Sequence, residues 1–263
     1  MKISFAMACY NRLEQLLHTL GTINNSAIKN GHDVEICLVD DASNEYNRLD
    51  AQPGLNGSVA AYPRLSIKVL RINPEDKWWR NPCIATNKAL AMATGDIIFL
   101  QNPECYHVGD LITQAINTIE LSSRHGIYIC FSTYAANPDY TLRLTNFEYG
   151  QVPPLVNTVP WNNPDEVGWY QHPIYRNAQL NFCTAMDRTA LDIMKGFDEE
   201  FAYGIGYDDN EFVHRLHKNH IRVITPDESI GYAVHLWHQQ TFYYDNELAE
   251  MNKRIFARKV GTL

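Results

Sequence analysis

Short apolar runs separated by amphipathic stretches set the rhythm of the first half of the chain. Ile3 to Cys9, Val34 to Val39, Ile67 to Leu70, Ile97 to Leu100 and Ile127 to Phe131 are compact, apolar and often β-branched. Strands buried on both faces read this way. Between them, Leu13, Leu16, Leu17, Leu20 and Ile23 recur at helical spacing. Asn11, with Glu14 three residues on, has the spacing of a capping box. Residues 81–93 read as a second helix, with proline in its first turn, and Leu111, Ala115, Ile116 and Ile119 mark a third. The alternation predicts an α/β fold with a mostly parallel central sheet flanked by helices.

The second half is less periodic. Residues 132–180 are rich in proline and aromatic side chains, and no clear element is legible there, as in a long functional loop region. Beyond it, Leu180 to Met186 reads as a strand, Arg188 to Lys195 as a helix closed by Gly196, Ile221 to Ile224 as a strand and 244–259 as a mostly polar helix. With no repeat, low-complexity tract or Ser/Gly linker, one domain is expected over 1–263. Its expected halves are a nucleotide-binding one (1–125) and an acceptor one (126–263).

Ligands of such sheets bind outside the carboxyl ends of the strands. Polar clusters fall at three of those ends: Ala8-Cys9-Tyr10, Asp40-Asp41, and Gln101 to Glu104. Pro103 has no N–H for a strand ladder and ends its strand there, leaving Glu104 just past a buried segment. Glu104 is then either a solvated turn residue or an oxygen ligand for a hard divalent cation. Asp40-Asp41 is either turn material or a carboxylate for the imide N–H of a uracil. Asp208 and Asp209 follow Gly204 and Gly206; they either complement a helix dipole or aim a general base at a hydroxyl. His235 and His238, in "HLWH", lie on one face only if that segment is helical, and with Glu104 they suit a Mn²⁺-like site.

Composition narrows the classes. The formal net charge is −8, from 22 basic and 30 acidic residues, and there is no Lys/Arg cluster, so nucleic-acid binding is not expected. No run approaches the roughly 20 apolar residues of a membrane helix, and the N-terminus has no signal-type apolar core, so a cytoplasmic protein is expected. The six cysteines form no CxxC pair and sit in apolar runs, as reduced buried thiols do.

Taken in order, these segments resemble a GT-A glycosyltransferase of the family 2 type, with a C-terminal half similar to the galactosyltransferase/chondroitin-polymerase group. "SFAMACYNR" resembles the first strand and uridine loop, "CLVDDAS" the second strand, "NPCIATNKALAMATGD" the helix before the DxD strand, and "GFDEEFAYGIGYDDNEF" the Gly-rich acidic segment; "HLWH" falls on the metal-ligand segment after it. The resemblance covers roughly residues 1–125 and 180–246.

The resemblance implies the following. Ala8, Tyr10, Arg12, Asp41, Asn87 and Asn102 contact the nucleotide-sugar, with Asp41 meeting uracil. "QNPE" occupies the DxD place, so Glu104 is the metal ligand, while Asn102 replaces the preceding acid, which implies weaker metal binding. His238, then His235, complete a Mn²⁺ or Mg²⁺ site. Asp209 is the catalytic base and Asp208 its acidic neighbour. The reaction is an inverting transfer of a hexosyl or N-acetylhexosaminyl group, from a nucleotide-sugar such as a UDP-sugar to a saccharide or other hydroxyl acceptor, as in glycan biosynthesis. Trp161, Trp169, Tyr170 and His172 are expected at the acceptor site, where aromatic faces stack on sugar rings. Two readings compete: a sugar nucleotidyltransferase, which the absence of glycine in residues 6–14 disfavours, and a degenerate, non-catalytic sugar-binding module.

Overall fold

The computed structural model describes residues 1–56, 61–122, 125–146, 152–156, 158–162, 166–239 and 245–262. The chain runs β1 (Ile3–Cys9), α1 (Leu13–Asn30), β2 (Val34–Asp40), β3 (Leu65–Arg71), α2 (Cys83–Met92), β4 (Ile97–Gln101), β5 (Cys105–Val108), α3 (Leu111–Glu120), β6 (Ile127–Cys130) and β7 (Thr133–Ala135). It continues α4 (Pro138–Asn146), β8 (Gly168–Gln171), β9 (Cys183–Asp187), α5 (Arg188–Met194), α6 (Asp208–Lys218), β10 (Arg222–Ile224), β11 (Tyr232–His235) and α7 (Asn246–Val260).

Seven strands form the central sheet in the order β10-β6-β9-β4-β1-β2-β3. All neighbours are parallel except β9, which runs antiparallel between β4 and β6. The expected mostly parallel α/β sheet is therefore present, and the reversed strand delivers its start to the edge where β1, β2 and β4 end. Apolar side chains cover both faces. On one, Leu16, Leu20 and Ile23 of α1 meet Leu111, Ile112 and Ala115 of α3; on the other pack Ala85, Ala89 and Leu90 of α2 with Phe212 and Leu216 of α6. Across the first face Phe5 stacks on Phe99 at 4.3 Å between ring centroids, and Phe99 on Phe131 at 5.9 Å.

The sequence pattern missed a second sheet. Residues 132–180 hold β7, α4 and β8, and β5-β11-β7-β8 pair into four strands with a core of Tyr134, Tyr140, Leu144, Trp169, Val234 and Leu236. These strands are only three or four residues long, too short for a periodicity to register. Helix ends also differ. Asn11 does not cap α1: it adopts φ 54°, its amide oxygen accepts from the Asn44 N–H, and Arg12 occupies the cap without a side-chain bond. α2 begins at Cys83, after Pro82. The strand expected from Leu180 starts at Cys183, because Asn181 and Phe182 turn. Tyr244, where the sequence pattern starts the last helix, lies outside the described residues.

All six cysteines are free and buried. Among the described residues no helix is long and apolar enough to cross a membrane. Phe99→Ala removes the middle ring of the three-ring stack from a fully buried site. It should destabilise the fold by about 3–5 kcal/mol, read as a lower urea midpoint at unchanged m-value.

Candidate active site and metal centre

The second sheet positions Glu104. β5 pairs antiparallel with β11, setting Cys105 opposite His235, and the Leu236 N–H donates to the Glu104 carbonyl at 2.9 Å. This register brings His235, at the end of β11, beside the Glu104 carboxylate: Nε2 lies 3.2 Å from Oε1. His238 Nε2 lies 3.4 Å from the same oxygen. The two histidines converge without a helix, since His235 ends a strand and residues 236–239 are irregular. Helical spacing was the wrong geometric condition.

Glu104 is 7% exposed, so the solvated-turn reading fails. Burial pushes its carboxyl up, but the two imidazoles more than reverse this and hold it well below the ordinary range. Oε2 is buried without a hydrogen bond among the described residues. His238 Nδ1 lies 3.3 Å from the Gln239 carbonyl, which only accepts; a single ring proton on this nitrogen would leave Nε2, 3.4 Å from the Glu104 oxygen, free as a ligand atom. The ligand atoms of Glu104, His235 and His238 lie within 4.8 Å of one another. One oxygen and two imidazole nitrogens, with an unpaired carboxylate oxygen, fit a divalent transition metal, and the bond to the Gln239 carbonyl is the kind that orients a metal-binding imidazole.

The strand ends divide the two adjacent aspartates. Asp40 is fully buried and accepts from the N–H groups of Ser43 and Leu49 and from Arg71 at 2.8 Å. It is the turn residue. Asp41 accepts from Lys77 Nζ and Trp79 Nε1, both at 2.9 Å. Burial raises its pKa, and Lys77 works against that rise. Lys77 Nζ also sits 4.0 Å above the Tyr10 ring, joining Tyr10 and Asp41 at one rim. Lys77 and Trp79 were not singled out by the sequence reading, because each is a lone residue in an irregular segment.

Other expected contacts sort differently. Ala8 is half-buried near the end of β1. Arg12 is 9% exposed; burial lowers its pKa, and the nearby Glu104 charge opposes that. The Asn102 N–H donates to the Phe182 carbonyl at 2.9 Å, tying the Glu104 loop to the chain ahead of β9. Asn87 is engaged elsewhere: its amide donates to the Phe197 carbonyl and accepts from the Phe197 N–H, fastening α2 to the acidic segment. Trp169 and His172 are buried, at 0% and 1% exposure, and offer no face to a sugar. His172 Nδ1 accepts from the N–H groups of Ile174 and Tyr175, so Nε2 donates to Glu228 at 2.7 Å and the ring staples a loop. Tyr170 is half-buried, 5.0 Å from the His235 ring between centroids, with Trp161 edge-on to it at 4.6 Å. Tyr170 thus packs on a candidate metal ligand, with Trp161 behind it.

Asp208 and Asp209 open α6. Tyr207, at φ 63°, turns the chain into the helix. Asp208 is 8% exposed and accepts from Asn81 Nδ2 at 2.7 Å. Asp209 is half-buried and accepts from Asn181 Nδ2 at 2.9 Å. The helix N-terminus favours their charge, but burial outweighs it for both. Asp209 is pushed up to about 7, by burial first and by Asp208 second. Asn181 was missed by the sequence reading, which placed it inside a strand. The dipeptide Asn181-Phe182 links the two centres: Asn181 holds Asp209, while Phe182 accepts from Asn102 and packs 6.2 Å from the His235 ring.

No curated protein matches the chain. Among solved structures similar to it is S. aureus TarS 1-349 in complex with UDP-GlcNAc, at 16% identity and TM-score 0.62, covering 99% of this chain and 66% of that one. Another is the mannosyltransferase PcManGT from Pyrobaculum calidifontis in complex with GDP-Man and Mn²⁺, at 16% identity and TM-score 0.53, covering 91% and 58%. A third is the catalytic domain of Drosophila beta1,4galactosyltransferase 7 in complex with xylobiose, at 14% identity and TM-score 0.52, covering 96% and 79%. The chain thus spans about two thirds of TarS 1-349. At these identities the likeness is one of fold, the GT-A fold. The family model for the N-terminal domain of galactosyltransferase matches residues 175–239, which hold Asp208, Asp209, His235 and His238. The model for glycosyl transferase family 2 matches residues 4–176, well over half of the sequence, and the chain belongs to that family.

Proposed function

We propose that this chain is a metal-dependent, inverting glycosyltransferase that moves a hexosyl or N-acetylhexosaminyl group from a UDP-sugar to a hydroxyl of a saccharide acceptor. The observation that carries the proposal is the buried Glu104 carboxylate, faced by the Nε2 atoms of His235 and His238 and keeping one oxygen unpaired. Family membership and the fold supply the transfer chemistry. TarS with UDP-GlcNAc and PcManGT with GDP-Man and Mn²⁺ support a nucleotide-sugar and a metal. Two nitrogen ligands favour Mn²⁺ over Mg²⁺.

Glu104, His238 and His235 would hold the cation, with the Asn102 amide beside them. When bound, it neutralises charge growing on the departing diphosphate. The remaining work falls to this chain. Asp41 receives the uracil imide N–H at the rim it shares with Tyr10, and Arg12 adds positive charge near the diphosphate end. Tyr170 and Trp161 flank the acceptor. Asp209 takes the proton from the acceptor hydroxyl as its oxygen bonds to the anomeric carbon. The bond from that carbon to the diphosphate oxygen breaks with its electron pair, and UDP leaves from the opposite face. A pKa of about 7 suits this role, since a base working near neutrality is half ionised and still basic. The six buried thiols support a reducing, cytoplasmic setting, and the division into donor and acceptor halves stands as part of the proposal.

Donor turnover separates this reading from a non-catalytic module: with Mn²⁺ and a panel of nucleotide-sugars, release of free UDP is expected from at least one donor. Binding of every donor without release would leave only the module. Mn²⁺ should raise the melting temperature and a chelator should reverse the rise, whereas Glu104→Gln should show no Mn²⁺ response in the same scan.

Asp209→Asn should lower kcat roughly 10²–10⁴-fold and leave UDP affinity unchanged; full turnover in this variant would remove Asp209 from the base role. In the unaltered chain kcat should fall as pH drops through about 7, when Asp209 takes up its proton. The same group sets a stability trend. Its folded pKa lies above the free aspartate value of about 3.9, so the folded state keeps a proton that the unfolded chain has released. Stability should therefore fall as pH rises from about 4 to about 7 and then level off. Asp209→Asn should flatten that fall, giving a higher melting temperature than the parent at pH 8.

A further inference from the structure

Asp209 does not choose its own orientation. We propose that Asn181 is the positioning residue of the base: its side-chain amide, itself held by the Tyr128 phenol, fixes Oδ1 of Asp209 so that the other oxygen is presented to the acceptor hydroxyl. The inference rests on the base role proposed above.

The geometry is a chain of two hydrogen bonds from the sheet to the base. Tyr128 lies on β6, fully buried. Its O–H donates to Asn181 Oδ1 at 2.6 Å. Accepting with Oδ1 obliges Asn181 to turn Nδ2 the other way, and Nδ2 donates to Asp209 Oδ1 at 2.9 Å. Had the amide been reversed, its oxygen would face the carboxylate, two acceptors in contact. The carboxylate, which only accepts when ionised, therefore sets the amide orientation, and the Tyr128 hydroxyl, which also lies 3.4 Å from the Gln179 carbonyl, donates to the amide oxygen left facing it. Burial pushes the Tyr128 phenol well above its ordinary value, so it remains a proton donor throughout the working range.

Asn181 is also what keeps the base usable. Burial and the Asp208 charge both push the Asp209 pKa up, and Asn181, through its side chain and its backbone N–H, pulls it back. The other titratable groups around the pair work in the upward direction. Glu211, on the same helix, faces Asp208 and is itself paired with Arg215 at 2.7 Å. Cys130 on β6 and Cys83 at the start of α2 feel the charges of Asp209 and Asp208, respectively. Asn81 donates to Asp208 and not to Asp209. The loop ahead of β9 adds Gln179, whose amide oxygen is engaged by His217 Nε2 at 2.8 Å. Among the described residues Asn181 is thus the donor aimed at the base.

Position ties this residue to the metal side as well. Asn181 precedes Phe182, whose carbonyl receives the Asn102 N–H and whose ring packs on Tyr170 at 4.7 Å, 8° from parallel. A one-residue step along the chain, about 3.8 Å between Cα atoms, therefore sets the spacing between the group that aims the base and the loop that carries Glu104.

The test is a carboxyl titration that needs no substrate. Protein labelled with carboxyl-¹³C aspartate is titrated by NMR, and the resonance missing from Asp209→Asn assigns the base. Asn181→Leu, similar in size but without a donor, should move the Asp209 midpoint up by about one pH unit or more. Tyr128→Phe, which deletes one hydroxyl and leaves Asn181 in place, should move it the same way by less, and it serves if Asn181→Leu does not fold. Asn181→Ser, which keeps a hydroxyl donor, should restore part of the shift. In turnover, Asn181→Leu should lower kcat about fivefold or more at pH 7, with the donor KM unchanged, and recover toward pH 9. An unmoved midpoint in both Asn181→Leu and Tyr128→Phe, or a kcat loss equal at every pH, would overturn the positioning role. Either result beside an inactive Asp209→Asn leaves the base assignment standing, whereas an active Asp209→Asn removes the base and not the hydrogen bond.

Discussion

A carboxylate taken out of water must find compensating charge or hydrogen bonds, or surrender its ionisation. Glu104 meets this constraint only because two sheets meet beside it. β4 brings the chain out of the central sheet, Pro103 forbids it to continue, and β5 immediately pairs with β11 in the second sheet. That one register sets His235 against Glu104, and the irregular segment beyond it brings His238 to the same oxygen. A slip by one residue in β5 or β11 would send the side chains to opposite faces and leave the carboxylate buried alone. The candidate centre is therefore a property of strand pairing, and its ligands need no helix or sequence proximity.

The same economy separates neighbours of identical chemistry. Asp40 and Asp41 are adjacent carboxylates, yet one closes a turn through two backbone N–H groups and Arg71, and the other faces Lys77 and Trp79 at the rim. The split falls at the end of β2: Asp40 is its last residue, and Asp41 is the first beyond it. Asp208 and Asp209 divide at the start of a helix, where consecutive side chains diverge by about 100°. Asp208 goes to Asn81, before α2, and Asp209 to Asn181, before β9. Two like charges this close oppose each other, which is why the pKa of Asp209 rises beside Asp208.

Much of this was legible in the residues and some was not, for identifiable reasons. The parallel half announced itself because its strands are buried on both faces and its helices are amphipathic over several turns, signals that survive without tertiary context. Glu104, His235 and His238 were found through the order of their motifs, although the helical condition placed on the histidines was mistaken. The second sheet stayed hidden because strands of three or four residues carry no period. Trp169 and His172 looked like sugar-stacking groups because an aromatic ring in a proline-rich stretch reads the same whether it faces solvent or Tyr134 and Tyr175. Asn87 fell within a segment similar to a donor-side helix, but its amide closes on Phe197. Asn181 carries no local signature at all. Its meaning arises only when β9, reversed in the sheet, sets its leading turn against the start of α6.

That reversal is the last link. Were β9 parallel like its neighbours, its start would lie at the opposite edge of the sheet, and neither Asn181 nor Phe182 would reach the strand ends. Running antiparallel between β4 and β6, it pairs Gln101 with Cys183 and Cys130 with Thr184, so the residues just ahead of it sit beside the end of β4. The amide that holds Asp209 and the carbonyl that receives the Asn102 N–H then arrive on consecutive residues. Glu104 lies in the segment matched by one family model, whereas Asp209, His235 and His238 lie in the segment matched by the other. One antiparallel strand brings them to a common rim, and its two leading residues fix how far apart they stand.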